Sequence, residues 1–72
     1  MAGRLSKLEG AISKGRTVRF DYWTPARDET RERTVNPYAL LREPRGWYVV
    51  AADLDHEERK LKTWKVSRIR GD

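Results

Sequence analysis

At Thr17 the spacing of the apolar residues changes, and that change limits the possible folds more than any other feature of the sequence. Before it, Leu5, Leu8 and Ile12 recur at helical spacing, and Ala11 widens their stripe. After it, Val18, Phe20 and Tyr22 alternate with Arg19, Asp21 and Trp23. A period near 3.6 aligns side chains along one stripe of a helix, whereas a period of two aligns them on one face of a strand. The pattern predicts one short helix over residues 4–14 and β-structure beyond it. Gly15 stands where a left-handed residue commonly closes a helix. Ser6 and Glu9 have capping-box spacing, but a helix capped there would start late, and Gly10 in its interior costs roughly 1 kcal/mol relative to alanine. Such a helix serves as a lid over one end of a small core.

The first strand is expected over residues 17–24 and ends at Thr24, Pro25 and Ala26. A charged stretch from Arg27 to Glu32 then leads as a loop into a second strand over 31–42, which contains Thr34 and Val35. Pro37 has no amide proton for a ladder, so this strand must bend or lie on an edge there. In the run Glu43-Pro44-Arg45-Gly46, proline and glycine supply the geometry of a tight turn. Trp47, Tyr48 and Val49 open the third strand, 46–53. Alternation sends Trp47 and Tyr48 to opposite faces, so at most one of them belongs to a binding surface while the other packs, and Tyr48 is chosen for the surface. A fourth run over 59–69 alternates Lys62, Trp64 and Val66 with Leu61, Thr63 and Lys65. Four to five short antiparallel strands after one short helix predict a mainly β fold, a small barrel or strongly coiled sheet.

Seventy-two residues allow one domain, placed at 4–70, and a chain this short buries only about 60% of the surface that its unfolded form exposes. There is no cysteine to form a disulfide framework, which suits a reducing, cytoplasmic compartment. No apolar run approaches the ~20 residues of a membrane span, and no signal-peptide stretch precedes the helix. A membrane partner is not expected.

Catalysis has little to build on. His56 lies between Asp55 and Glu57 in a charged loop, and the serines at Ser6, Ser13 and Ser67 have no evident base. One histidine without cysteine does not make a metal site of the usual ligand set, and the acidic pairs lack calcium-loop spacing. A glycine-rich phosphate loop is missing as well. The sequence therefore reads as a non-enzyme without cofactor or metal.

Sixteen basic against eleven acidic residues give a formal net charge of +5. Asp28, Glu29 and Glu32 fall in one expected loop and Asp53, Asp55, Glu57 and Glu58 in another, whereas Arg59, Lys60, Lys62, Lys65, Arg68 and Arg70 populate the final segment. Cations hold phosphates largely without regard to sequence, and exposed rings stack bases. Arg19 and Arg33 on neighbouring strands, with the closing cations and rings, make a candidate surface for single-stranded nucleic acid. Against it stands the demand of the core: in so small a domain at least half of the aromatics are needed for packing, Phe20 and Trp64 first.

The triplet Trp47-Tyr48-Val49 resembles the Trp-Tyr-Leu signature of the WYL domain family in all but its last position. The resemblance extends along the chain. Ala11 and Ile12 match the end of the family's opening helix; Val18, Phe20 and Tyr22 match its Val-x-Phe-x-Tyr strand; Arg33, Val35 and Pro37 match its Arg-x-Val-x-Pro segment, followed by Leu40 and Leu41. The triplet strand ends at Asp53, and Lys62 to Ile69 resemble the closing Arg-Thr-Phe-Arg-hydrophobic-Asp-Arg-Ile pattern. Lys62 replaces an arginine and loses its planar fork, Trp64 replaces phenylalanine, and Ser67 replaces an aspartate and so removes an ion-pair partner.

The resemblance implies an Sm-like, SH3-type β-barrel that senses ligands in bacterial transcription regulators, between a winged-helix DNA-binding region and a C-terminal extension domain. Neither flanking region is present in these residues, so the chain reads as an excised or solitary sensor. The implied ligands are nucleic acids, single-stranded DNA among them, or nucleotide-like molecules, and the implied setting includes DNA-damage responses. On the residues, Tyr22, Arg33, Tyr48, Lys62, Lys65 and Arg68 form the candidate site for single-stranded DNA or RNA or a nucleotide-like ligand. Arg33 and Arg68 stand at positions that the family pattern fixes. The competing expectation is a structural module that docks other domains or a second copy of itself.

Overall fold

The computed structural model describes residues 2–70. Helix α1 spans Ala2–Lys14, beginning two residues before the expected start, and Leu8 is buried while Leu5 packs against the core. Gly15 ends it in the left-handed region, at φ +64°. The Gly15 amide donates to Ile12 O at 3.2 Å and the Arg16 amide to Ala11 O at 2.8 Å, the paired bonds of a Schellman closure.

Strand β1, Val18–Thr24, leads through a 3-10 turn at Pro25–Arg27 into β2, Glu29–Glu43. A two-residue turn joins β2 to β3, Gly46–Asp53. After a loop come β4, Leu61–Lys65, a second 3-10 turn at Val66–Arg68, and β5, Ile69–Arg70. All pairings are antiparallel, in the order β4-β3-β2-β1-β5.

Two expectations about the strands are refined. The second strand begins at Glu29, because β1 pairs with it as far as Thr24↔Glu29 and so draws the charged stretch into the ladder. At Pro37 this strand bends as expected, with a register shift between Pro37 and Ala39, yet it lies inside the sheet and not on an edge. The ladder with β1 reaches only Val35, so at Pro37 no β1 residue is waiting for an amide proton. The expected fourth strand, 59–69, is two strands separated by a turn. Val66 and Ile69 are both buried, and a three-residue step cannot put both on one face of a straight strand.

The SH3-type closed barrel is likewise replaced by an open sheet. Among the described residues no ladder joins β4 to β1 or β5. The Tyr22 hydroxyl spans that gap, accepting the Lys65 amide at 3.0 Å. Curling the sheet this far encloses the inner-face residues Phe20, Tyr22, Val35, Val49, Ala51 and Trp64, with Leu8, Val66 and Ile69 completing the core. Tyr22 meets Trp64 edge-on, 5.0 Å between ring centroids and 87° between planes, and Phe20 meets Trp64 at 6.0 Å and 80°. Edge-to-face pairs of this kind add about 0.5–1.5 kcal/mol each beyond their buried area.

Candidate ligand-binding surface

Cross-strand register decides which candidate residues can meet. Val35 pairs with Asp53, Ala51 with Lys62 and Val49 with Trp64, so Arg33 of β2, Asp53 of β3, and Lys62 and Trp64 of β4 share the inner face. Asp53 is 2% exposed. Its Oδ2 accepts Lys62 Nζ at 3.0 Å and lies 3.9 Å from Arg33 Nη1, while its Oδ1 accepts the Asp55 amide at 3.0 Å. Burial alone would raise this carboxyl's pKa. The hydrogen bonds from Lys62 and from the Asp55 amide, with the charges of Lys62 and Arg33, outweigh burial and hold it below its ordinary value.

Both cations also lie over the ring of Trp64, the Arg33 guanidinium carbon at 5.8 Å and Lys62 Nζ at 5.7 Å from its centroid. Trp64 is fixed from below by donating its Nε1–H to Ala51 O at 3.2 Å. Arg33 is only 19% exposed in its side chain, and its Nε is buried with no hydrogen-bond partner among the described residues. Lys62 is more open, at 41%. Two cations thus converge on one carboxylate and one aromatic face, leaving a net positive charge at the rim of the core.

Tyr48 and Lys65 lie on the opposite face. They are register partners, and Lys65 Nζ is 5.9 Å from the Tyr48 ring centroid. An open depression of about 360 Å³ is lined there by Glu43, Pro44, Arg45, Tyr48 and Thr63. Trp47 takes the other face and packs against the core, as alternation predicts, with Arg42 at 5.6 Å over its ring.

The six candidates therefore do not form one cluster. Arg33 and Lys62 come together, Tyr48 and Lys65 come together, and the sheet separates the pairs. Tyr22 lies in the core with its hydroxyl engaged, so its ring is not offered to a ligand. Arg68 stands in the 3-10 turn between β4 and β5, half-buried. The charge pattern along the chain places Asp53 among loop acids, yet in the fold it organises the inner cations. Its signal was present in the alternation Trp47, Val49, Ala51, Asp53, which places it on the inner face. His56 accepts the Glu58 amide at Nδ1, 3.2 Å, within the loop after β3. Among the described residues no group of three or more histidines, cysteines or acids is placed to hold a metal, and no helix is long and apolar enough to cross a membrane.

A family model for the WYL domain matches residues 3–71. The chain belongs to the WYL domain family. Among solved structures this WYL domain is similar to proteasome accessory factor B/C (PafBC) of Arthrobacter aurescens, with 28% sequence identity and a TM-score of 0.82 over 97% of the present chain. That likeness takes in 11% of the PafBC chain, so the present chain spans about a tenth of its length. No curated protein matches the sequence.

Proposed function

We propose that this WYL domain is a non-catalytic, ligand-sensing module of a bacterial transcription regulator, and that it binds single-stranded nucleic acid or a nucleotide-like anion. The observation that carries the reading is Arg33. Its guanidinium lies beside an aromatic face, its nearest acid is 3.9 Å away, and its Nε has no partner among the described residues. That Nε is buried, so a phosphate oxygen arriving from solvent meets the guanidinium at its outer nitrogens, where it supplies a short charge-assisted bond that Asp53, at 3.9 Å, does not. Lys62, half-open and already oriented by Asp53, lies beside it. Arg68 is the further cation proposed to reach the ligand.

The test is fluorescence anisotropy with a labelled short oligothymidylate at two salt concentrations. Arg33→Ala is expected to weaken binding about tenfold or more, the scale of one lost hydrogen bond between charged partners. Arg68→Ala is expected to weaken it too, and affinity should fall steeply with salt as phosphate contacts release counterions. Salt-independent binding, or none at low salt, overturns the reading.

A second reading is favoured by three exposed apolar side chains, Tyr38 at 55%, Leu41 at 42% and Leu61 at 61%. Exposed apolar surface suits a module that docks another domain or a second copy. Sedimentation with and without oligonucleotide separates the two: self-association that ignores oligonucleotide supports docking, and a monomer that shifts on adding it supports sensing.

A further inference from the structure

We infer that the outer face of β2, β3 and β4 is a contact surface for a second copy of this chain, the two sheets meeting about a two-fold axis that runs along β3. This rests on the docking reading and names its face and its occupant; it does not depend on what the inner face binds. Register fixes the composition of that face. Two rows run across it, Leu41–Tyr48–Lys65 and Ala39–Val50–Thr63. Asn36, Ala52 and Leu61 form a third, and Tyr38, at the bulge, adds its ring to that end by accepting a hydrogen bond from Asn36 Nδ2 at 3.1 Å. Only Lys65 among these positions is charged, in a chain of which 38% is. The large apolar side chains that stand exposed among the described residues, Tyr38, Leu41 and Leu61, all gather here. Apolar surface collected on one face, while the inner face keeps a core of its own, is the pattern of an interface.

What commits the face to a second copy is that it complements itself. A two-fold contact needs each feature and its counterpart on the same patch, on either side of the axis. Leu41 stands on the β2 side of β3, and the depression of about 360 Å³ is lined by Tyr48 of β3 and Thr63 of β4. A half-turn about β3 lays β2 of each copy over β4 of the other and brings each Leu41 to the depression of its partner. The charges match in the same way. Glu43 follows Leu41 on the outer face of β2, Lys65 stands across β3 from Leu41, and neither has an ion-pair partner among the described residues. The same half-turn sets Glu43 beside the partner's Lys65, and Arg45, which lines the depression from the turn, offers that carboxylate a second cation. Two copies at +5 each repel, and a nearly uncharged face that brings its own counter-acid is where they repel least. Three strands and three rows give a footprint of about 15 by 20 Å, at the low end of specific interfaces, so the dimer is weak and dissociates at about 10–100 μM.

The test is sedimentation equilibrium of the chain from about 5 to 500 μM without oligonucleotide, with circular dichroism and thermal melting confirming that each variant folds. The expected result is a monomer–dimer equilibrium that Leu41→Glu weakens about tenfold or more, since it carries a charge into the apolar contact. Glu43→Lys and Lys65→Glu should each weaken the dimer several-fold when studied alone. Mixed in equal amounts, the two variants should associate again, because each copy then meets opposite charge at both contacts, a rescue that no contact within one chain can give. A chain that stays monomeric throughout overturns the inference and leaves the docking reading to another domain. A dimer that ignores Leu41→Glu, or charge variants that gain nothing on mixing, overturns this face and axis while leaving self-association itself standing.

Discussion

Asp53 is buried yet held in its ionised form by the two cations that share it, and this sets an expectation for acid stability. Because its carboxyl is more acidic in the folded chain than in the unfolded one, acid protonates the unfolded chain first. The stability it confers is complete above the unfolded value, at about pH 4, and drains away as pH falls through the lower folded value. Urea unfolding of Asp53→Asn should therefore show a shallower acid decline than the unmodified domain between about pH 5 and pH 3. At neutral pH the substitution should cost about 1–2 kcal/mol, a modest figure because Lys62 is open to water and its attraction is screened. Equal acid slopes for the two proteins would mean that the tether contributes nothing. A second expectation concerns Tyr22: Tyr22→Phe leaves the Lys65 amide without its acceptor and should destabilise the domain by about 1 kcal/mol in the same urea assay. Alternation revealed that Trp47 and Tyr48 part company. It gave no hint that Tyr22 bonds to residue 65, because that contact depends on how far the sheet curls.

The elements obey local rules that were largely readable in the chain, and Gly10 and Gly15 separate cleanly by them. Gly10 lies in the body of α1, and a methyl group built there would meet nothing within 4 Å. Gly10→Ala should stabilise the domain by about 0.4–1 kcal/mol, since alanine restricts the unfolded chain and suits the helix. Gly15 also has open space, but its φ of +64° is one that alanine adopts only with strain. Gly15→Ala should destabilise by about 1–2 kcal/mol, so thermal melting ought to move in opposite directions for the two variants. Shifts of the same sign would contradict the Schellman closure or the helix itself. The break in the last strand was equally open to inspection, because Lys62, Trp64 and Val66 keep a period of two and Ile69 does not. Where the second strand begins was not, since charged residues at 29–32 join a ladder only when β1 lies alongside.

At the scale of the whole molecule the sheet order and register are what divide the candidate residues, and neither is written in any local stretch. Arg33 and Lys62 are twenty-nine positions apart in sequence and meet over Trp64 only because β3 separates their strands with Val35 opposite Asp53 and Ala51 opposite Lys62. A domain of this size stands on a small margin of stability, which makes ligand binding visible as a thermal effect. An oligonucleotide present at a hundred times its dissociation constant stabilises a one-site folded state by about 2.7 kcal/mol. Each kcal/mol moves the midpoint by roughly 4–8 °C in a domain of 60–100 residues, so saturating octathymidylate in low salt should raise it by about 10–20 °C. Raising the salt at constant oligonucleotide should shrink that shift, because affinity falls while the thermal stability of the free domain is followed in a parallel sample. Arg33→Ala should shrink it too, by the tenfold loss of affinity expected for the lost phosphate contact. A midpoint that stays within a degree of the free domain at low salt, at concentrations saturating by anisotropy, would mean that the strand binds folded and unfolded chains alike. The folded surface around Arg33 would then not be the binding site.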